Sequence, residues 1–168
     1  MRFIQIIVLT ILSLSALAYA NYTVDESGTV IVPKTTDLQA DGQLAAEKQL
    51  PILVMFSATH CGYCEAIKSD QLRPMLISGD YTDQVIIREL HIDSMEDVID
   101  FDGQPIAADD LASKHNVWVT PTIMFFDAQG NKLAPKILGY NTPSMFGGYL
   151  DEHIVLSQNI IRTKLAQR

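Results

Sequence analysis

The apolar run at residues 52–56 breaks at Ser57-Ala58-Thr59-His60 and hands over to Cys61-Gly62-Tyr63-Cys64, after which the spacing turns helical. No other stretch constrains the fold as much. A short continuous apolar run between breakers suits a strand buried on both faces, and such strands belong to sheets covered by helices on either side. The chain has only two cysteines, and they stand two residues apart where strand passes to helix. That placement reads as a dithiol redox centre.

The compartment sharpens this reading. Arg2 gives a positive start, residues 3–17 are almost wholly apolar, and Ala18-Tyr19-Ala20 is a small-x-small cleavage site. This is the layout of a secretory signal peptide, so residues 1–20 are expected to be a leader removed after Ala20. The competing reading, an uncleaved membrane anchor, suffers because the apolar run falls short of the roughly 20 residues a spanning helix needs. A periplasmic protein follows, with residues 21–168 forming one domain that does not span the membrane. Without the leader, 11 basic residues face 20 acidic ones and no basic patch remains, which argues against nucleic-acid partners. Outside the cytosol two cysteines usually form a structural disulfide. A bridge across two residues, however, closes too small a loop to constrain the unfolded chain much, which favours a reactive pair.

Elsewhere the pattern alternates strand and helix. Residues 21–39 are polar and turn-rich apart from Thr29-Val30-Ile31-Val32, and are expected to hold one short strand. Leu38, Leu44, Ala45 and Leu50 mark a first helix over 37–49, ended by Pro51. Ala66, Ile67, Leu72, Met75 and Leu76 give one buried side to a helix from Cys61 to about Ser78, kinked or broken at Pro74. Residues 85–92 form a second buried strand, and 93–110 an acidic surface excursion leading to a short helix at 107–115. Thr120-Pro121-Thr122 opens a hairpin of 123–126 with a strand through Ile137 and Leu138. Thr142 or Ser144 is expected to cap a last helix reaching towards Ala166, with a broad apolar stripe that includes Met145, Phe146, Tyr149, Leu150, Leu156 and Leu165. This order makes an α/β fold, a mixed sheet with helices on both faces.

Given the dithiol, this strand order and Thr120-Pro121, residues 44–164 resemble the thioredoxin superfamily. The resemblance implies a thioredoxin fold with an N-terminal extension and a helical excursion at 93–116 before a cis proline. Pro121 matches that proline, which in the family lies against the dithiol. The excursion is similar to that of exported single-domain thioredoxin-like proteins of the SoxW type. The Cys-Gly-Tyr-Cys tetrapeptide and the threonine before the proline resemble periplasmic disulfide isomerases of the DsbC type, without room for their dimerisation domain. Two departures stand out. The acid that cytosolic thioredoxins bury six positions before the first cysteine is Met55 here, and the tryptophan just before that cysteine is His60.

At a helix start, unpaired N–H groups and the helix dipole favour an anion, so Cys61 is the attacking thiolate and Cys64, one turn on, the resolving thiol. Exchange then passes through a mixed disulfide at Cys61 and needs no cofactor and no metal. Gly62 and Tyr63 occupy the positions that tune the balance of dithiol and disulfide, and Thr120 and Pro121 would face the substrate. His60 is either a cation beside the thiolate or an exposed loop residue. Glu89 stands where the thioredoxin strand carries a lysine. It is either a proton acceptor for Cys64, replacing the acid missing at Met55, or an exposed or salt-bridged strand residue. Trp118, Phe125, Phe126, Phe146 and Tyr149 read as core, with Trp118 close enough to the proline to line a groove. Three functions stay open: a reductase of protein disulfides recharged by a membrane electron donor, which the resemblance favours; an oxidase or isomerase; and a thioredoxin-fold binding or chaperone module.

Overall fold

The computed structural model describes residues 22–167, so the expected signal peptide, residues 1–20, lies outside the described residues. Burial on both faces puts Ile52–Ser57 at the centre of a sheet, as its unbroken apolar run requires. In chain order the elements are β1 (Thr23–Val24), β2 (Val30–Ile31), α1 (Leu38–Lys48), β3 (Ile52–Ser57) and α2 (Gly62–Ile67). A π-helical turn (Lys68–Leu72), α3 (Arg73–Ser78), β4 (Ile86–His91), β5 (Asp97–Ile99) and β6 (Pro105–Ala107) follow. The chain closes with α4 (Ala108–Lys114), β7 (Thr122–Phe126), β8 (Ile137–Leu138) and α5 (Pro143–Ala166).

The main sheet has the order β4-β3-β7-β8, with β3 and β4 parallel and the other neighbours antiparallel. Alternate side chains divide the core in two. Leu53, Met55, Ile87, Ile123 and Phe125 pack against Cys64, Ile67, Leu72 and Met75 of the dithiol helix and Phe146, Leu150 and Ile154 of α5. Ile52, Val54, Phe56, Met124 and Phe126 pack against α1 and α4 on the other face. Burying each large side chain contributes about 1.5–3 kcal/mol. The expected thioredoxin fold, a mixed sheet with helices on both faces, is the one observed.

Several details differ from the sequence reading. The N-terminal stretch holds a two-stranded hairpin, and the segment after it bridges to β4, where Glu89 N–H donates to Pro33 O and Thr35 N–H to Glu89 O. The excursion contains a second hairpin, β5–β6, too short for alternation to reveal. At Pro74 the helix does not end. Pro74 lacks an N–H and its ring crowds the carbonyl four residues back. The preceding turn widens instead, with Arg73 N–H donating to Lys68 O. Thr142 stands at the start of α5 at φ 54° and makes no side-chain capping bond; Pro143 in the first turn needs no N–H partner. The buried face of α5 is narrower than the apolar stripe suggested, since Met145, Leu156, Leu165 and also Tyr149, expected in the core, are exposed. No helix among the described residues is long and apolar enough to cross a membrane.

Candidate active site

β3 runs straight into the dithiol. Its last residue pairs with His91 of β4, and its neighbour Phe56 pairs with Thr122 of β7, so three strand ends meet where the cysteines stand. Functional residues gather at the carboxyl ends of parallel strands in such sheets. Asp93, just beyond β4, anchors the loop by accepting the Thr59 N–H at 2.7 Å. His60 then turns the chain at φ 60°, a left-handed conformation that histidine tolerates better than β-branched residues do. That turn makes Cys61 the N-cap of α2.

Cys61 and Cys64 form a disulfide with Cα atoms 5.2 Å apart. Their environments differ, as different roles require. Cys61 is half-buried, whereas Cys64 is buried with 1% exposure. An incoming sulfur therefore meets Cys61. The Cys61 Sγ accepts the Cys64 N–H at 3.2 Å, a donor that remains to hold a thiolate once the disulfide opens. Gly62 and Tyr63 are exposed, Tyr63 at 68%. The Thr120–Pro121 bond is cis, with Pro121 buried and Thr120 half-buried at the dithiol end of β7. Gly139 N–H donates to Pro121 O, and Thr122 Oγ1 to Val119 O, so both sides of the turn are tied.

Two aromatic expectations need separating. Phe125, Phe126 and Phe146 are core. Trp118 is not: it is 72% exposed, and with Tyr63 and Val119 it presents apolar surface around the dithiol. It stands three residues before the proline with most of its surface in solvent, so the core reading of Trp118 is corrected. His60 is exposed; its backbone turn is the feature the site uses.

Glu89 is where the sequence understated matters. It is the register partner of Met55 and is 1% exposed, so it is ion-paired but not on the surface. Its Oε1 lies 3.0 Å from Lys68 Nζ and 3.2 Å from His91 Nε2. Lys68 stands one helical turn after Cys64, and its Nζ also contacts Glu65 Oε1 at 2.6 Å. Burial works against the Lys68 charge, but the hydrogen bonds and charges of Glu65 and Glu89 outweigh it and hold the ammonium above the usual lysine value. Sequence reasoning missed Lys68 and His91. The signal for Lys68 was there: it falls among Cys64, Ile67, Leu72 and Met75, a charge inside a buried stripe.

The family model for a thioredoxin-like domain matches residues 38–154, more than half of the chain. Among solved structures, oxidised mitochondrial thioredoxin 3 from Saccharomyces cerevisiae is 23% identical, with a TM-score of 0.50, covering 72% of this chain and 94% of its own. Oxidised thioredoxin O2 from Arabidopsis thaliana is 25% identical at a TM-score of 0.47, covering 73% and 91%. No curated protein sequence matches the chain.

Proposed function

Because the chain belongs to the thioredoxin-like family, we propose that this thiol–disulfide oxidoreductase works in the periplasm, reducing disulfides of protein substrates. The observation that carries the reading is the asymmetric pair, an accessible Cys61 at a helix start backed by a buried Cys64. The substrate disulfide is attacked by the Cys61 thiolate, which the Cys64 N–H holds. Cys64 then resolves the mixed disulfide. The exposed Tyr63, Trp118 and Val119 give an extended apolar peptide something to lie on, with Thr120 and Pro121 beside it.

Glu89 takes the Cys64 proton in this scheme. It is buried on the same face of the sheet as Met55 and joined through Lys68 to the helix that carries Cys64. Export is supported by the leader-like residues 2–20, and a periplasmic reductase needs a membrane electron donor to restore the dithiol.

Insulin reduction tests the reading. Wild type is expected to precipitate the insulin chains and Cys61→Ser to be inert; equal activity of the two would point to a binding module. A reduction potential near about −270 mV fits a reductase, and one near about −120 mV an oxidase. Glu89→Gln is expected to resolve mixed disulfides slowly, and resolution at the wild-type rate would remove Glu89 from the scheme.

A further inference from the structure

A row of charged side chains beneath the dithiol joins the two ends of its loop. It starts at Glu65, beside Cys64, and passes through Lys68 to Glu89. From Glu89 it continues to His91, whose Nδ1 lies 4.0 Å from Asp93 Oδ1. Asp93 closes the row by holding Thr59, two residues before Cys61. His91 is the link with two working ends: Nε2 lies against buried Glu89, and Nδ1 lies nearest Asp93, which lines a cleft. That cleft, of about 310 Å³ at the edge of β4, is lined by Glu89, His91, Asp93, Glu96, Thr59 and Lys34, among others. Glu89 Oε1 is buried and paired with Lys68, whereas the buried His91 Nε2 has Glu89 as its one close polar neighbour and makes no aligned hydrogen bond.

We propose that His91 is a positioning residue that passes the Cys64 proton from Glu89 out to this cleft. The inference rests on the proposed exchange chemistry with Glu89 as acceptor. In the closing step Cys64 S–H gives its proton to Glu89, and the sulfur's electron pair forms the bond to Cys61 Sγ. The Cys61–substrate bond breaks, and its pair leaves on the substrate sulfur as a thiolate, which takes a proton from water. Two protein thiols are thereby oxidised to one disulfide, and one substrate disulfide is reduced to two thiols. Glu89 hands that proton on to His91 within the same step, so that no neutral carboxyl is left beside the Lys68 ammonium as closure proceeds. Of the two side chains against Glu89 Oε1, Lys68 is already an ammonium, so the group that can take the proton is His91. Imidazole suits this passage because it can accept on one nitrogen and release from the other. The charged groups facing His91 are Glu89 on its own strand, Asp93 in the next turn, Glu96 and Lys34 across the cleft, and Lys68 through Glu89.

The test mixes the reduced protein with excess dithiobis(nitrobenzoate). The first thionitrobenzoate released reports attack by Cys61, and the second reports closure by Cys64. His91→Gln is expected to slow the second phase about tenfold or more. The first phase should be unaffected. His91→Ala, which leaves room in the cleft, should regain its closure rate when imidazole is added, and this arm answers the case in which His91→Gln folds poorly. Closure of His91→Gln at the wild-type rate overturns the relay and leaves the row as a structural ion network. A slow His91→Ala that imidazole does not restore overturns it too. Failure of the wild type to release a second equivalent would instead overturn the dithiol reading on which the relay rests.

Discussion

Lys68 and Glu89 are the residues whose placement costs most in isolation, with side chains only 10% and 2% exposed. Two charges taken out of water are tolerable together, and removing one strands the other. Lys68→Met is therefore expected to cost about 3–5 kcal/mol in urea unfolding. The double change Lys68→Met with Glu89→Leu should cost less than Lys68→Met alone, because no buried charge remains. Equal or greater loss in the double variant would show that the pair itself contributes net stability. Either role of Glu89 was readable as a possibility from its position in the strand. Its choice of partner was not, because Lys68 comes from a helix 21 residues earlier in the chain, and only docking brings the two together.

At the scale of elements, α1 shows how packing overrides propensity. Gly42 lies within this helix, where alanine would ordinarily gain about 1 kcal/mol. A Cβ there would come within 2.5 Å of the Ala128 backbone oxygen in the turn after β7. That atom belongs to a turn fixed by bonds from Gln129 and Asn131 to Asp127, so it cannot easily withdraw. Gly42→Ala is accordingly expected to destabilise the fold by about 1–3 kcal/mol, lowering the thermal midpoint despite better helix propensity. A raised midpoint would mean that α1 shifts freely. The helix itself was legible from its spacing; the structure adds its cap, Asp37, which accepts the Ala40 N–H at 2.8 Å. The β5–β6 hairpin was not, since strands of three residues carry too little alternation to stand out from an acidic loop.

For the whole molecule, acid tests how the excursion is held against the sheet. His115, at the end of α4, packs its ring 4.9 Å from Phe126 and 6.2 Å from Phe56, and its Nε2 is buried without a partner. Burial, and then nearby Lys132, push its protonation below the ordinary histidine value, with Asp100 opposing. A histidine kept neutral by the fold contributes stability that is complete above its unfolded value of about 6.5 and is lost as pH falls from there through the lowered folded value. The urea midpoint of wild type should thus drop between about pH 7 and pH 5, and His115→Leu should flatten that drop. An unchanged drop in His115→Leu would assign it to other groups. Sequence alone determined the strand-to-helix dithiol, the alternation of elements and the two faces of β3. Those features follow from spacings of two to four residues, which the backbone imposes wherever the chain lies. Only tertiary structure decided that Thr120–Pro121 is cis, that Trp118 faces outwards, and that Thr59 is held by Asp93, 34 residues away. It also decided that Lys68, Glu89 and His91 meet at one site. Register and helix docking fix which distant polar groups leave water together, and no local pattern encodes that choice.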